Sequence, residues 1–433
     1  MKIHFIGIGG IGISGLAKFM LAEGHEVSGS DLSETAITAK LKELGMKLTI
    51  PHNAAAIIDQ DLVIHSAIIR PDNAEIIEAQ NRGIEVLARR EALEMILKGK
   101  KVYSVCGAHG KSTTTAILSS ILEGSAIIGA ESKEFGDNVR HSEGDVLLFE
   151  ADESDGSFLN SNPYCAIVPN AEPEHMEYYD YNFDRFYDAY RTFIYSATLR
   201  VFNAEDPFLS TLECEAIRLY PSKDIKNIEF VLINDEPHTR FELLDMGVFE
   251  VWGFGAHIAL DAALAILAAT ASEKLETVRE KLLNFKGIKK RFDIINKINS
   301  ILIDDYGHHP TEIKATLESV KAYAHLMGIE TITAIWQPHK YSRTIDNLEA
   351  FVTCFEGATE LIILPVWAAG EATRVIDFEK DFERYHPMMA DTVKRSNYDL
   401  DVMKDNKILK SLDKGLIIGF GAGDITYQLR GIA

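Results

Sequence analysis

The sequence predicts an α/β protein of three domains. The first observation is a recurring order of apolar strand, glycine-containing turn and helix, which is typical of doubly wound sheets. The second is the length of 433 residues, which exceeds what one ordinary hydrophobic core supports. The third is that the pattern starts afresh near Lys101 and near Arg291. We therefore predict domains over 1–99, 100–289 and 290–433.

The first domain opens with the apolar strand 2–6 and a helix over 11–21. Residues 27–31 and 61–66 are short β-favouring runs, which we assign to the same sheet. A helix over 90–97 then leads into a polar, lysine-rich stretch with one glycine, which is typical of a hinge.

The second domain begins with the strand 102–106 and a helix over 111–122. Segment 199–254 is rich in β-favouring residues, and we expect it to form an antiparallel lobe. An alanine-rich helix over 256–272 is apolar nearly all round and is predicted to be buried. Further strands and helices alternate after it, which predicts the third α/β domain. Its expected strands are 300–304, 331–336, 360–365 and 415–419.

Charge and composition exclude several classes of protein. Lys and Arg total 44 and Asp and Glu total 65, which gives a net charge of −21 and argues against binding to nucleic acid or anionic membrane. The four cysteines are far apart, so neither a disulfide framework nor a zinc site is expected. There is no apolar run of membrane-spanning length, and the first residues do not resemble a signal peptide. We therefore expect a cytoplasmic protein without membrane insertion.

The first motif is Gly7-Ile8-Gly9-Gly10-Ile11-Gly12, which lies between the first strand and the first helix. Glycines in this pattern let backbone N–H groups approach a pyrophosphate at the positive end of a helix. Asp31 ends the second strand, where a carboxylate can accept hydrogen bonds from a ribose. NAD, FAD and UDP-sugars all carry a pyrophosphate, so the motif alone leaves the nucleotide open.

The second motif, Gly107-Ala108-His109-Gly110-Lys111-Ser112-Thr113, again lies between a strand and a helix. It lacks the first glycine of the usual phosphate loop, because Val105 occupies that place. The chemistry is nevertheless complete: backbone N–H groups can hold phosphates, Lys111 can neutralise them and Ser112 can ligate Mg²⁺. We predict ATP binding by all seven residues of this motif.

Acidic residues and histidines follow other predicted strands. The run 150–155 (EADESD) comes directly after an apolar strand, where it can supply one or two oxygen ligands to Mg²⁺. His175 ends another strand, and His308 and His339 lie in two later loops with acids, amides or cations beside them. Such clusters at strand ends are candidates for a functional site.

Six motifs in this order resemble the Mur ligase family: HFIGIGGIG, GAHGKSTTT, EADESDGSF, DDYGHHPTE, QPHKYSRT and GAGDI. The resemblance covers essentially the whole chain. It implies an N-terminal Rossmann-like domain that binds a UDP-sugar, a central P-loop ATPase-like domain and a C-terminal Rossmann-like domain that helps bind an amino acid. It further implies an ATP-dependent ligase that joins L-alanine to the lactyl carboxylate of UDP-N-acetylmuramate through an acyl phosphate, in peptidoglycan precursor synthesis. ATP and Mg²⁺, with Mn²⁺ as an alternative, are the implied cofactors, and a monomer or homodimer is expected.

The resemblance also implies roles for individual residues. Lys111, Glu150, His175 and Arg291 would be catalytic, with Ser112, Glu150 and His175 as metal ligands. His257 and Asp305 would join the phosphate loop in binding ATP. Tyr306, His308 and Arg343 would hold the amino acid. The residues expected to hold the UDP-sugar are Gly9, Gly10, Ile11, Gly12, Asp31 and Ser66.

The chain departs from the family pattern at several places, including Ser112, which stands where the family usually has a threonine. The family usually has asparagines where this sequence has Ile258 and Asp261, which predicts a modified adenine pocket. Glu174 replaces the usual aspartate before His175, and Lys340 stands where an arginine is common.

Three other functions fit parts of the sequence. A sister ligase of cell-wall recycling joins the same UDP-sugar to a preformed tripeptide. An NAD-dependent oxidoreductase would use the first glycine motif and Asp31, but it leaves the phosphate loop and the acidic run unexplained. A non-catalytic nucleotide sensor would fit the loss of the two asparagines.

Overall fold

The computed structural model describes residues 1–432, and these residues form two compact units. The first unit comprises 1–226, 242–247 and 260–285, and the second comprises 227–241, 248–259 and the chain from 286 onward. None of the helices in the described residues combines the length and the apolar character needed to cross a membrane.

The first unit begins with a five-stranded parallel sheet in the order β3-β2-β1-β4-β5. Its elements are β1 (Lys2–Ile6), α1 (Ile11–Ala22), β2 (Glu26–Ser30), α2 (Ala36–Glu43), β3 (Lys47–Thr49), β4 (Leu62–His65), α3 (Ala74–Asn81), β5 (Glu85–Ala88) and α4 (Arg89–Ile96). Ile6 pairs with Ser30 on one side and with His65 on the other. The residues after these three strands therefore emerge at one edge, where the direction of strand order reverses and ligands bind in open α/β sheets.

A second sheet of seven strands follows in the same unit, in the order β12-β11-β10-β6-β9-β7-β8. Its elements are β6 (Lys101–Val105), α5 (Lys111–Ile121), β7 (Ser125–Ile127), β8 (Val139–Arg140), β9 (Val146–Glu150), β10 (Pro163–Val168), α6 (Phe183–Ser196), β11 (Leu199–Asn203), β12 (Ile217–Leu219) and α7 (Pro221–Asp224). All pairs are parallel except that of β7 with β8. Val105 pairs with Glu150 and with Ile167, so the loops after β6, β9 and β10 meet at one edge.

The two sheets of the first unit share one hydrophobic core. A single cluster of buried side chains extends from Ile3 and Phe19 near the N-terminus to Phe158, Phe193 and Phe202 around the seven-stranded sheet. The continuous core explains why residues before and after position 100 form one compact unit. Of the predicted hinge at 98–101, residues 98 and 99 lie in a turn, and Lys101 is already the first residue of β6.

Segment 225–252 forms a separate three-stranded sheet, which lies mostly in the second unit. The strands are β13 (Ile225–Ile233), β14 (Glu236–Leu243) and β15 (Val248–Trp252), followed by the helices α8 (Ala256–Ala269) and α9 (Leu275–Leu282). A two-residue connection between β13 and β14 permits only antiparallel pairing. The predicted antiparallel lobe over 199–254 is therefore correct from 225 onward and wrong before it, because β11 and β12 extend the parallel sheet.

The rest of the second unit is built on a six-stranded sheet in the order β16-β17-β24-β18-β19-β20. Its elements are β16 (Asp293–Asn296), β17 (Ile301–Asp305), α10 (Pro310–Leu326), β18 (Ile332–Trp336), α11 (Tyr341–Asp346), α12 (Leu348–Cys354), β19 (Glu360–Ile363), α13 (Phe378–Asp381), β20 (Met388–Met389), β21 (Thr392–Ser396), β22 (Asp399–Lys404), β23 (Lys407–Leu412), β24 (Leu416–Phe420) and α14 (Ile425–Arg430). Phe420 pairs with Asp305 and with Trp336, so the loops after β17, β24 and β18 share one edge.

The antiparallel sheet β21-β22-β23 is not among the elements that the sequence predicts. Val393, Leu400, Val402 and Leu412 on these strands are buried in the same cluster as Ile335 and Ile417 of the six-stranded sheet. The small sheet is thus a covering layer on this core.

Candidate functional site

The glycine loop after β1 is held by Asp31. Its carboxylate accepts a hydrogen bond from the Gly9 N–H at 2.7 Å, and its other oxygen accepts one from the Leu32 N–H at 2.8 Å. A Cβ on Gly9 would lie 2.8 Å from the Asp31 carboxylate, so glycine is needed there for the loop to approach this side chain. The structure therefore places Asp31 beside the loop, where one of its oxygens accepts the Gly9 N–H, and its role towards a ribose stays a prediction.

Ser66 lies on the same edge of the sheet as the glycine loop. It follows β4, donates its N–H to the Ile6 carbonyl at 3.0 Å, and its Cβ is close to Gly7. Ser66, Gly10 and Gly12 line a cavity of about 500 Å³. The same cavity reaches His175 and Asp155 of the second sheet. Residues predicted to bind the sugar nucleotide thus share one cavity with a predicted metal ligand.

The phosphate loop ends in a left-handed glycine that starts α5. Gly110 has φ +82°, a conformation that side chains with a Cβ rarely adopt, and the Asp261 carboxylate occupies the place where its Cβ would point. Asp261 is buried, so this departure from the family pattern puts an acid beside the phosphate loop. Asn170 fixes the loop from another side, because its amide bonds both the N–H and the carbonyl of His109, at 3.0 and 2.9 Å.

The Lys111 side chain folds back over the loop. Its ammonium donates to the carbonyls of Gly107 at 2.5 Å and Ala108 at 3.2 Å, and it lies 2.9 Å from the Glu153 carboxylate. The carboxylates of Glu153 and Glu150 raise the pKa of Lys111, although burial opposes them. Lys111 is therefore a fixed cation at the start of α5, where phosphates bind.

Ser112 and Glu150 form an oxygen pair beside this lysine. The Ser112 hydroxyl donates to the Glu150 carboxylate at 3.0 Å, and the Gly129 N–H donates to its second oxygen at 2.6 Å. Both side chains offer hard oxygen atoms, which are the ligands that Mg²⁺ prefers. The pairing of these two predicted ligands fits a magnesium site at the phosphate loop.

His175 lies in a second group of possible metal ligands. One ligand atom from each of Glu153, Glu174 and His175 lies within 4.8 Å of the others. His175 is exposed and has φ +52°, whereas Glu153 is 1% exposed. The predicted ligands Ser112 and Glu150 therefore form one group, and His175 forms another with two glutamates.

The second unit brings the predicted amino-acid residues together. The Arg343 guanidinium bonds His339 Nδ1 at 3.0 Å, the rings of His339 and His308 are 5.9 Å apart, and those of His308 and Tyr306 are 5.4 Å apart. Burial and the cation of Arg343 lower the pKa of His339 to about 4, so this imidazole is neutral at physiological pH. The cluster places one guanidinium beside two imidazoles and a phenol.

Glu312 organises the loop that carries this cluster. Its carboxylate accepts the N–H groups of His308 and His309 at 3.0 and 3.1 Å and lies 3.9 Å from the Arg291 guanidinium. It thereby caps α10.

Asp305 is buried and accepts the N–H groups of Phe292 and Gly307, at 2.7 and 2.8 Å. Burial raises its pKa to about 6, although these hydrogen bonds and Arg291 oppose the shift. Its two oxygens thus hold the backbone of Phe292 and Gly307, which are adjacent in sequence to Arg291 and Tyr306. His257 is exposed, and its ring lies against Gly255. Both residues belong to the second unit, and their roles in ATP binding stay predictions.

Three residues of these sites are not predicted individually from the sequence. Glu153 is predicted only as a member of the acidic run, although it pairs with Lys111. Arg89 begins α4, and nothing in its local sequence indicates that its guanidinium reaches Ser157 at 2.7 Å. Glu312 carries a local signal, since an acid three residues after a helix cap is typical of a capping box.

The glycine loop, the phosphate loop and the acidic loop define a nucleotide-binding α/β enzyme. The family model described as "Mur ligase family, catalytic domain" matches residues 2–101, and that described as "Mur ligase, glutamate ligase domain" matches residues 290–396. The chain is 55% identical over 431 residues to a UDP-N-acetylmuramate–L-alanine ligase from Campylobacter curvus, covering 99% of each chain. It is also 55% identical over 433 residues to the enzyme of that name from Helicobacter pylori, covering 99% of this chain and 96% of the other.

A crystal structure of the UDP-N-acetylmuramate–alanine ligase from Thermotoga maritima superposes with a TM-score of 0.83 at 28% identity, covering 100% of this chain and 98% of the other. The chain belongs to the Mur ligase family. The predicted α/β fold with the three-domain architecture of this family is confirmed. The domain boundaries at 99/100 and 289/290 stay predictions.

Proposed function

We propose that this protein is an ATP-dependent ligase that joins L-alanine to the lactyl carboxylate of UDP-N-acetylmuramate, a step in peptidoglycan precursor synthesis. The observation that carries the proposal is full-length identity of 55% to enzymes of that name. It is supported by a phosphate loop in which Lys111 pairs with Glu153 and Ser112 donates to Glu150. The three substrates are its expected partners.

The chemistry follows from the substrates. A free carboxylate is a poor electrophile, because its leaving group would be oxide. Transfer of the γ-phosphoryl group of ATP converts the lactyl carboxylate into an acyl phosphate, and a neutral amine then displaces phosphate to form the amide. Catalysis of these steps requires alignment of the reactants and neutralisation of charge.

Residues of the first unit suit the phosphoryl transfer. Lys111 presents its ammonium at the start of α5, where it would bind the β- and γ-phosphate oxygens. Ser112 and Glu150 would hold Mg²⁺ or Mn²⁺, and Glu153, Glu174 and His175 would hold a second ion. When bound, such an ion neutralises charge on the phosphate oxygens. The cavity between the glycine loop and His175 would direct the sugar end of the substrate towards these groups.

The second unit suits the amino acid. Arg343 is a planar cation that can pair with the carboxylate of L-alanine through two hydrogen bonds. Tyr306, His308 and the neutral His339 surround it with polar and aromatic groups. Arg291, held near Glu312 and Asp305, would contribute a further cation to the nucleotide phosphates.

The test is an assay of ADP release with UDP-N-acetylmuramate and ATP, with L-alanine, glycine, L-serine or the tripeptide of cell-wall recycling as acceptor. We expect release with L-alanine and a product whose mass corresponds to the sugar nucleotide plus one alanyl residue. A preference for the tripeptide would identify the sister ligase instead. ADP release without any UDP-sugar would count against both ligases.

A further inference from the structure

Arg89 connects the two sheets of the first unit. It is the first residue of α4, the helix that precedes the first strand of the seven-stranded sheet, and its side chain is 16% exposed. Its Nη2 atom donates to Ser157 at 2.7 Å, to Asp152 at 3.2 Å and to Asp155 at 3.4 Å. These three partners lie in the loop that follows Glu150, so one nitrogen of Arg89 is bound entirely to the acidic loop of the second sheet.

The other terminal nitrogen of Arg89 faces the glycine loop. A Cβ on Gly12 would lie 2.5 Å from Arg89 Nη1, so a side chain at this position would displace the guanidinium from the place that it occupies. Gly12 is the second residue of α1, whose free N–H groups attract an anion. Arg89, Gly10, Gly12, Asp152 and Asp155 all line the cavity of about 500 Å³. A diphosphate bound at the start of α1 would therefore lie beside this guanidinium.

We propose that Arg89 is a positioning residue that couples occupancy of the sugar-nucleotide cavity to the geometry of the acidic loop. The inference rests on the proposed function. The guanidinium lies between two negative groups, the substrate diphosphate and the carboxylates of Asp152 and Asp155, and it removes their mutual repulsion. By holding the acidic loop in register with the glycine loop, it also fixes Glu150 and Glu153, which lie beside Ser112 and Lys111.

Such coupling is reciprocal. If the sugar nucleotide tightens the binding of Mg²⁺ and ATP by some factor, then Mg²⁺ and ATP must tighten the binding of the sugar nucleotide by the same factor. Calorimetric titration measures this factor as the ratio of dissociation constants for Mg²⁺ with a non-hydrolysable ATP analogue, without and with saturating UDP-N-acetylmuramate. We expect a factor of about fivefold or more in the wild type and a factor near one in Arg89→Ala. Arg89→Ala should also weaken binding of the sugar nucleotide by about tenfold or more.

Two further variants sharpen the test. Arg90→Ala removes a positive charge from the exposed neighbouring residue. It should change neither the coupling factor nor the affinity for the sugar nucleotide. Arg89→Lys keeps the charge but cannot reach both loops, so it should restore part of the sugar-nucleotide affinity and little of the coupling.

The proposal is overturned if the wild type shows no coupling, or if Arg89→Ala keeps the coupling. If Arg89→Ala does not fold, Ser157→Ala removes the 2.7 Å contact from the other loop, and unchanged coupling in that variant also overturns the proposal. Failure of the proposed function is seen separately, as the absence of alanyl product from the wild type, since the coupling is measured by binding alone.

Discussion

The ammonium of Lys111 and the carboxylate of Glu153 form an ion pair at 2.9 Å, next to the ligand atoms of Glu174 and His175. Burial raises the pKa of Glu153 to about 7, with Lys111 opposing the shift and Asp152 adding to it. The pair joins the phosphate loop to the acidic loop. The lysine that would bind the transferred phosphoryl group is thus aligned by an acid from the loop that follows β9.

We predict that Lys111→Ala lowers the rate of ligation by about a hundredfold or more, because it removes a cation that stabilises charge in the transition state. Binding of UDP-N-acetylmuramate should stay within about twofold, since the glycine loop belongs to the other sheet. The measurements are steady-state ADP release and calorimetric titration. Lys98→Ala, at an exposed lysine of the same unit, is the control. Turnover close to wild type in Lys111→Ala would refute the assignment of the phosphate loop.

We predict that activity is lost in excess EDTA, and that Ser112→Ala and Glu150→Gln each raise the Mg²⁺ concentration for half-maximal rate by about tenfold. Ser119→Ala is a matched control, because Ser119 lies on the same helix and donates to the Ala116 carbonyl instead. Glu150→Gln should raise this requirement more than Glu153→Gln does. The reverse ranking would move the main metal site to Glu153, Glu174 and His175.

We predict that Arg343→Ala raises the KM for L-alanine by about tenfold or more and the KM for ATP by less than twofold, because it removes a partner of one substrate's carboxylate. Initial rates with each substrate varied in turn give both constants. Arg384→Ala removes an arginine of the same unit that pairs with Glu356 at 2.8 Å, and it should alter neither constant. Equal increases in both KM values for Arg343→Ala would contradict the proposed amino-acid site.

Asp305 predicts a pH dependence of stability. Its pKa is about 6 in the folded protein and 3.8 in the absence of burial, so between these values the folded chain holds a proton that the unfolded chain has lost. Its contribution to the free energy of unfolding is therefore greatest at low pH. As the pH rises through about 6, this contribution is lost, and the free energy of unfolding falls by up to about 3 kcal/mol.

Denaturant unfolding of wild type and Asp305→Asn at pH 4.5 and pH 7.5 tests this dependence. The asparagine variant should be less stable at pH 4.5, because one backbone N–H loses its acceptor, and the difference should shrink at pH 7.5. Asp413→Asn, at an exposed acid of the same unit, should give a difference that does not change between these pH values. An Asp305→Asn difference that grows with pH would show that the sign is wrong.

The sequence predicted those parts of the site that depend on local signals. The glycines before α1 and α5 lie at strand-to-helix turns, where their spacing defines the backbone path, and both loops form where expected. The acids after β9 also follow a strand, so the order of elements brings them to the phosphate loop.

Contacts made through tertiary structure were not predictable in this way. Arg89 contacts Asp152, which is 63 positions away in the sequence. The residues that follow Arg89 have only the pattern of an ordinary amphipathic helix, which does not indicate this contact. Likewise, β11 and β12 have the composition of an antiparallel lobe, but pairing with β10 places them in the parallel sheet. In both cases the partner in space, rather than the local pattern, decides the outcome.

The proposed ligase activity is tested most directly by ADP release from the wild-type protein with ATP and Mg²⁺, measured with UDP-N-acetylmuramate and L-alanine added singly and together. We predict rapid release only when both are present, with one ADP formed per alanyl product detected by mass spectrometry. ADP release that does not depend on the sugar nucleotide, or no product with L-alanine present, would contradict this activity.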